Sequence, residues 1–327
     1  MTTPAAAPTA ALPRAAWRQD PALAAAFVSV VLLTAFLLAP QPIPAVTPPS
    51  LTLVVADLRG QALVVTDTAD PSRARTIPLP GGPHEMLALP DGRLVVSLEQ
   101  YGSLAIVDVP RGEVQSLHVG GVPHGLALVC DTLYVTDRAV NAIRRFTIGT
   151  WVEREPVASG GWPHIVAPLP DGRLAIANAA DDTLTLGARV VEVSHVPESI
   201  AVALDGRVAT AGSVGGMLHV FDDAGRPLAQ YDLGGRPVRL LYDPRGEILA
   251  AALSADASVA LVDRGAVRRI VVGGVPDGLA FSSDGHWLYV SDMAGGMVSV
   301  VDVQHSRVAQ RFRAGRTAGA LLVLPHG

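Results

Sequence analysis

The sequence contains no lysine, and all 25 of its basic residues are arginine. This absence excludes every mechanism that needs a lysine amine, including Schiff-base formation and a lysine general base. The chain has a single cysteine, Cys130, so it cannot form an intramolecular disulfide, and without a CxxC or CxxCH motif it has no site for thiol redox chemistry or covalently attached haem. Cys130 lies in a strand-like apolar run, and we expect it to be a small core residue.

Net charge is also scarce in this sequence. The formal net charge is −5, without the clustered basic residues that neutralise nucleic-acid phosphates, so nucleic acid is not an expected partner. Charged residues make up 17% of the chain and hydrophobic residues 49%, a composition that predicts a globular body and excludes a largely disordered protein.

The N-terminal region has the pattern of a tail, a membrane segment and a linker. Residues 1–20 are rich in alanine and proline and include Arg14 and Arg18, which predicts a short cytoplasmic tail. Residues 21–39 carry no charge and reach the lower limit, about 17–20 residues, of what a membrane-spanning helix needs. We expect an uncleaved anchor, with a signal peptide cleaved near residues 44–45 as the alternative.

The basic residues before this segment place the rest of the chain on the far side of the membrane. We therefore expect a single-pass inner-membrane protein whose main domain lies in the periplasm or outside the cell. Residues 40–50 are rich in proline, which predicts an extended spacer between the membrane and a domain at 51–327.

One stretch, GGVPHGLALVCDTLYVTD at 120–137, recurs through that domain at nearly constant spacing. Each copy consists of short β-branched runs separated by Gly, Asp and Pro turns, a pattern typical of a four-stranded antiparallel meander. A period of about 40 residues built from such strands predicts the blades of a β-propeller. Six copies contain a proline at the same repeat position, and a degenerate seventh copy has a threonine there. These residues are Pro83, Pro123, Pro163, Pro197, Pro237, Pro276 and Thr317.

These repeats predict an all-β fold, a seven-bladed propeller of four-stranded antiparallel blades. Six blades begin near residues 81, 120, 160, 194, 234 and 273. The segment 51–79 has three further strands and 319–327 has one, so we expect the two ends of the domain to combine in the seventh blade. Such pairing closes the ring and covers strand edges that would otherwise be open to association.

The runs LYVTD at 133–137 and LYVSD at 288–292, with VSVVDV and LAIVDV, resemble the YVTN family of β-propeller repeats over about residues 51–327. The chain is also similar to the NHL and virginiamycin B lyase propellers, which share a Pro-x-Gly-Ile-Ala start followed by a strand ending in an acidic residue. The resemblance implies the fold, whereas its members include binding proteins, lyases and cofactor-handling proteins.

The lyase resemblance further implies a catalytic pair, His124 as general base and Asp137 as its acidic partner, acting with a magnesium ion. This sequence lacks the tryptophan-rich strands of those lyases, and it has Asp where they have Glu.

Three consecutive blades have a histidine directly after the repeat proline, at His84, His124 and His164. Since the first strand of each blade lines the channel, we expect these histidines to be neighbours on one arc of its rim. Imidazole is a common ligand of Zn, Cu, Fe and Ni, so the three are candidate ligands of a divalent metal ion. The alternative is that they bond turn amides or channel waters.

The same face is expected to collect further polar residues from the other blades. Their carboxylates and amide would form a surface for a protein partner or a small ligand, although such residues also commonly cap turns. They follow the repeat proline or end the second strand: Asp57, Asn178, Glu198, Asp277 and Asp292, with Asp137.

The sequence therefore favours a membrane-tethered binding module that recognises a protein or small ligand at a mouth rich in His and Asp. Two alternatives stay open. One is a metal-dependent lyase or hydrolase, and the other is a periplasmic accessory protein that handles a metal or a redox cofactor.

Overall fold

The computed structural model describes residues 47–324, in which 28 strands form seven four-stranded antiparallel sheets. The predicted seven-bladed β-propeller is confirmed for these residues. No helix within 47–324 is long and apolar enough to cross a membrane. The predicted tail, the predicted membrane segment and most of the linker lie outside the described residues.

Strands β1–β3 are β1 (Thr52–Asp57), β2 (Ala62–Asp67) and β3 (Arg75–Pro78). The next two sheets comprise β4 (Met86–Ala88), β5 (Leu94–Leu98), β6 (Ser103–Asp108), β7 (Glu113–His118), β8 (Pro123–Val129), β9 (Thr132–Asp137), β10 (Ala142–Thr147) and β11 (Glu153–Ala158). They are called blade 1 and blade 2.

Blades 3 and 4 comprise β12 (Pro163–Pro168), β13 (Leu174–Asn178), β14 (Thr183–Leu186), β15 (Arg189–Glu192), β16 (Pro197–Val202), β17 (Val208–Gly212), β18 (Met217–Phe221) and β19 (Pro227–Asp232). Blades 5 and 6 comprise β20 (Pro237–Tyr242), β21 (Ile248–Leu253), β22 (Ser258–Asp263), β23 (Ala266–Val271), β24 (Pro276–Phe281), β25 (Trp287–Asp292), β26 (Met297–Asp302) and β27 (Arg307–Arg313).

The last strand, β28 (Ala318–Leu324), completes blade 7 by pairing with β1, and the sheet order is β28-β1-β2-β3. Its register places Val54 opposite Leu322, in agreement with the closure predicted from the leftover strands. Two short 3-10 turns, Pro71–Arg73 and Glu99–Tyr101, complete the secondary structure of residues 47–324.

The core lies between neighbouring blades. One cluster, for example, joins Leu63 and Ile77 of blade 7 to Leu94 and Val96 of blade 1, all at most 2% exposed. Burial of each such side chain contributes about 1.5–3 kcal/mol, and no single sheet could bury both of its faces alone. This mutual cover explains why the apolar runs recur in every repeat.

The expectation for Cys130 was wrong, because this residue is exposed. Val129 pairs with Thr132, which leaves Cys130 in the two-residue turn of the hairpin, with φ of 53°. Two-residue hairpin turns need left-handed backbone, so the apolar run ends one residue earlier than its composition suggests.

Candidate ligand-binding site at the channel mouth

A β-bulge follows the repeat proline in the first strand of blades 2 to 6. In blade 2, Pro123 lies opposite Asp137, but the next pair is Leu126 with Val135, so β8 carries one extra residue. Corresponding shifts follow Pro163, Pro197, Pro237 and Pro276. A bulge bends its strand and redirects a side chain, and here it acts on the residue that is His124 in blade 2.

The Ser or Thr of the YVTD and YVSD motifs stabilises this bulge. Thr136 Oγ1 accepts a hydrogen bond from the Gly125 amide at 2.7 Å, and Ser291 Oγ accepts one from Gly278 at the same distance. Because the bulge removes these amides from the regular ladder, the hydroxyl satisfies a donor that would otherwise be buried without a partner.

Four second strands end in a polar residue, and each of these four residues caps the turn that precedes a first strand. Asp137 accepts hydrogen bonds from the amides of Val122 and Ala139, both at 3.0 Å. The other three make corresponding bonds to turn amides: Asp57 to Thr317 at 3.0 Å, Asn178 to Gly160 at 3.1 Å and Asp292 to Val275 at 2.8 Å. This is the turn-capping alternative of the sequence analysis, and none of the four lines the cavity described next.

A cavity of about 320 Å³ opens at this end of the channel. All the residues that directly follow the repeat prolines of blades 1 to 6 line it, except His124. Its polar wall is formed by His84, Glu85, Arg138, His164, Glu198, Arg236, Arg239 and Asp277, and Trp162 adds an aromatic surface. We call it the mouth cavity.

The floor of the mouth cavity is an ion pair across the channel. Arg239 of blade 5 donates two hydrogen bonds to the Glu85 carboxylate of blade 1, at 2.7 and 3.0 Å. The two side chains are 18% and 11% exposed. Glu85 and Arg239 also line a second cavity of about 220 Å³, so the pair lies between two cavities of the channel.

The charges around this pair shift one another's pKa values. Burial raises the pKa of Glu85, but the charge and hydrogen bonds of Arg239 together with the neighbouring His84 and His124 outweigh burial and hold that pKa well below its usual range. Burial also raises the pKa of Asp277, and Arg239 opposes this shift only in part. Arg239 therefore stays charged, with one ionised carboxylate bonded to it and a second carboxyl group nearby.

The three predicted histidines form a row. The ring centroids of His84 and His124 are 4.2 Å apart, as are those of His124 and His164. His124 is fully buried, whereas the other two line the mouth cavity. Burial lowers the pKa of His124 to about 3 and that of His164 to about 2, with the neighbouring histidine as the next cause in each case, so both rings are neutral near neutral pH.

The carboxylate that contacts His124 is Glu99, a residue that the sequence analysis did not single out. Glu99 Oε2 lies 3.2 Å from His124 Nδ1 and 3.6 Å from His84 Nε2. The implied partner, Asp137, instead bonds its turn amides and lies 3.6 Å from Arg144. No hydrogen bond joins Asp137 to His124 in the part of the chain that the structure describes.

Arg138 holds the other oxygen of Glu99 in an ion pair, and its guanidinium lies over the Trp162 ring at 5.2 Å from the centroid. Glu99 and Arg138 directly follow β5 and β9, so they occupy the same place in adjacent repeats. Opposite charges at one repeat position were the available signal for this pair. His164 donates its Nδ1–H to the carbonyl oxygen of Glu198 at 2.9 Å, which leaves a lone pair on Nε2.

Several solved propellers are similar to this chain in fold. A putative 6-phosphogluconolactonase from Bacteroides fragilis has a TM-score of 0.68 at 15% identity, covering 86% of this chain and all (100%) of its own. For virginiamycin B lyase from Staphylococcus aureus the TM-score is 0.64 at 12% identity, with 75% of this chain and 89% of the lyase covered. Hydrazine synthase from Kuenenia stuttgartiensis has a TM-score of 0.66 at 18% identity, with coverage of 73% and 88%.

These likenesses show a seven-bladed propeller and no more, since proteins of different activity share it at low identity. No protein-family model and no curated protein sequence matches the chain. The YVTN repeat pattern is thus a resemblance of motif and does not assign a function to the chain.

Proposed function

We propose that this protein is a binding module that takes a small polar ligand into the mouth cavity. The observation that carries the proposal is a group of buried nitrogen atoms on cavity-lining residues that have no hydrogen-bond partner within residues 47–324: His84 Nδ1, Arg138 Nε and Arg239 Nε. Leaving a buried polar group unpaired costs about 1–3 kcal/mol, and such groups are few in native proteins. Their concentration around one cavity is expected where a bound molecule supplies the missing partners.

The walls indicate what kind of molecule this is. A volume of about 320 Å³ is at the lower end of the range for small-molecule sites. Arg138 and Arg239 are already paired with carboxylates, and each still has an Nε–H donor to offer. Trp162 is 44% exposed and presents a flat apolar face beside them. We therefore propose a compact ligand that is rich in hydrogen-bond acceptors and has one apolar side.

The alternatives fit the mouth cavity less well. A lyase using His124 as general base needs this ring to reach the substrate, but His124 is fully buried and its pKa is about 3, too low for a base that works near neutral pH. A protein partner would have to enter a concave cavity, although the surrounding face remains available to one.

We also propose that the propeller is exported and tethered to the inner membrane through residues 21–39. The sequence pattern supports this, because an uncharged run is preceded by Arg14 and Arg18 and followed by a proline-rich spacer. Mass spectrometry of the protein from native membranes tests it. An N-terminus beyond residue 39, or protein found free in the periplasm, would contradict it.

Binding is tested by thermal shift with a panel of sugar phosphates, dicarboxylates and amino acids on the full-length protein in detergent. We expect at least one compound to raise the Tm of the wild-type protein but not of an Arg138→Met variant. The control is Arg245→Met, because Arg245 lines a different surface groove. Equal shifts in both variants would place binding outside the mouth cavity, and no shift with any compound would count against this ligand class.

A further inference from the structure

Two imidazoles and one carboxylate converge beside the mouth cavity. His84 Nε2 and His124 Nδ1 lie 3.6 and 3.2 Å from the same oxygen of Glu99. The potential ligand atoms of the three residues all lie within 4.8 Å of one another. In a tetrahedral site with bonds of about 2.0–2.1 Å, neighbouring ligand atoms are about 3.3 Å apart. Two of the three separations are therefore already close to those of a metal site.

Different parts of the fold hold these groups in place. His124 is aimed by the bulge of β8, and Glu99 belongs to the short 3-10 turn after β5. Arg138 anchors the oxygen of Glu99 that faces away from the histidines, in the way that ligating carboxylates are commonly fixed by a second contact. The arrangement is thus held by contacts that do not use the oxygen and nitrogens facing one another.

The remaining ring nitrogens leave the tautomers free to adjust. His84 Nδ1 and His124 Nε2 are buried without hydrogen-bond partners among the described residues. Each is the nitrogen that carries the ring proton when the nitrogen facing Glu99 ligates. Within residues 47–324, no hydrogen bond therefore fixes the ring proton of either histidine on the nitrogen that faces Glu99.

We propose that His84, Glu99 and His124 bind a divalent transition-metal ion, and that zinc is the ion this ligand set suits best. Imidazole with carboxylate favours zinc and its neighbours, whereas Mg²⁺ and Ca²⁺ prefer oxygen ligands alone. Three protein ligands leave a further coordination position for water or another ligand. Because His84 also lines the mouth cavity, the ion would form part of the proposed binding surface.

His164 is not part of this site. Its ring lies against His124, but its Nδ1–H is committed to the Glu198 carbonyl oxygen, and it does not belong to the group whose ligand atoms meet. The site thus differs from the three-histidine set expected from the repeat, with Glu99 in the place of His164.

The test is isothermal titration calorimetry of the full-length, EDTA-stripped protein with ZnCl₂, together with elemental analysis after dialysis. We expect one zinc ion per chain, no heat with MgCl₂, and a loss of affinity of at least about 100-fold in His84→Ala and Glu99→Gln. His164→Ala should keep stoichiometric binding. A second control is His195→Ala, because His195 is an exposed histidine paired with a carboxylate, Asp182, elsewhere on the propeller.

Cobalt substitution gives a second readout, and in the wild-type protein it does not depend on the folding of any variant. The d–d absorption of Co²⁺ should be that of a four-coordinate site with nitrogen and oxygen ligands, and Glu99→Gln should remove it. Zinc binding that survives in both His84→Ala and Glu99→Gln, or no binding at micromolar zinc, would overturn the proposal. The metal site rests on the proposed function only for its outer ligand. If a panel compound binds the mouth cavity of the protein but zinc does not bind, the proposed small-ligand function stands and the metal site fails. If zinc binds but no panel compound does, the metal site stands and the proposed small-ligand function fails.

Discussion

The ion pair that crosses the channel gives a sharp test of the packing at the mouth. Replacing Arg239 with methionine keeps most of the side-chain volume but leaves the Glu85 carboxylate enclosed without its partner. Both side chains are largely buried, at 18% and 11% exposure, and two hydrogen bonds join them. Breaking a buried pair in this way costs about 3–5 kcal/mol, compared with about 0–1 kcal/mol for an exposed pair.

We therefore expect Arg239→Met to lower the Tm of the propeller by about 6–20 °C, at about 2–4 °C per kcal/mol for a domain of this size. Glu85→Gln should cost less, because the Asp277 carboxyl group also faces Arg239 and ionises more readily once Glu85 is neutral. The double variant Glu85→Gln/Arg239→Met removes both charges and should recover much of the loss.

The assay is thermal and urea denaturation of the full-length protein near neutral pH, followed by circular dichroism. The matched control is Arg93→Met, which breaks an exposed hairpin pair with Asp91 and should cost no more than about 1 kcal/mol. The reasoning fails if Arg239→Met is no worse than Arg93→Met. It also fails if the double variant loses as much stability as the two single changes added together.

Three further outcomes follow from the structure. Burial lowers the pKa of His124 to about 3 and that of His164 to about 2, so as the pH falls below about 6.5 the unfolded chain takes up two protons that the folded chain does not. The free energy of unfolding of the EDTA-treated protein should therefore fall by up to about 2.7 kcal/mol per pH unit, and equal urea midpoints at pH 7.5 and 5.5 would contradict this. Deleting residues 318–327 removes β28 and exposes the edge of β1, so we expect loss of cooperative unfolding or aggregation in size-exclusion chromatography; a stable monomer would refute the closure. Gly121→Ala places a methyl group 2.0 Å from a carboxylate oxygen of Asp137, on a backbone with φ of +63°. It should lower the free energy of unfolding, measured by urea denaturation, by about 1–3 kcal/mol. The control Gly149→Ala should lower it less, because nothing lies within 4 Å of the added methyl group there.

The fold could be predicted from the sequence because every repeat carries the same physical demands. In the LYVTD motif at 133–137, Asp137 caps a turn and Thr136 accepts a hydrogen bond from a bulge amide. Both roles are local to one blade, so they leave a motif of fixed spacing. The pairing of β28 with β1 followed from counting strands, since three were left at one end and one at the other.

The site was predictable only as far as the repeat extends. The row of His84, His124 and His164 follows from one repeat position in adjacent blades. The contacts of Glu99 with His124 and of Arg239 with Glu85 join different blades through long side chains, whose reach and rotamer no repeat spacing encodes. Repeat alignment shows charge at these positions, but it does not show which charge meets which.

The pairing of β1 with β28 also has a consequence in time. Asp57 and Thr317, which bond at the join, are 260 residues apart in the chain. At about 5–20 residues per second, synthesis of that interval takes about 13–50 s. Throughout this period the edge of β1 that pairs with β28 stays unpaired, because the other six blades are still being synthesised. The first strand made therefore finishes folding last, and a chain that stalls before β28 cannot bury its opening segment, which makes it a ready substrate for chaperones and proteases.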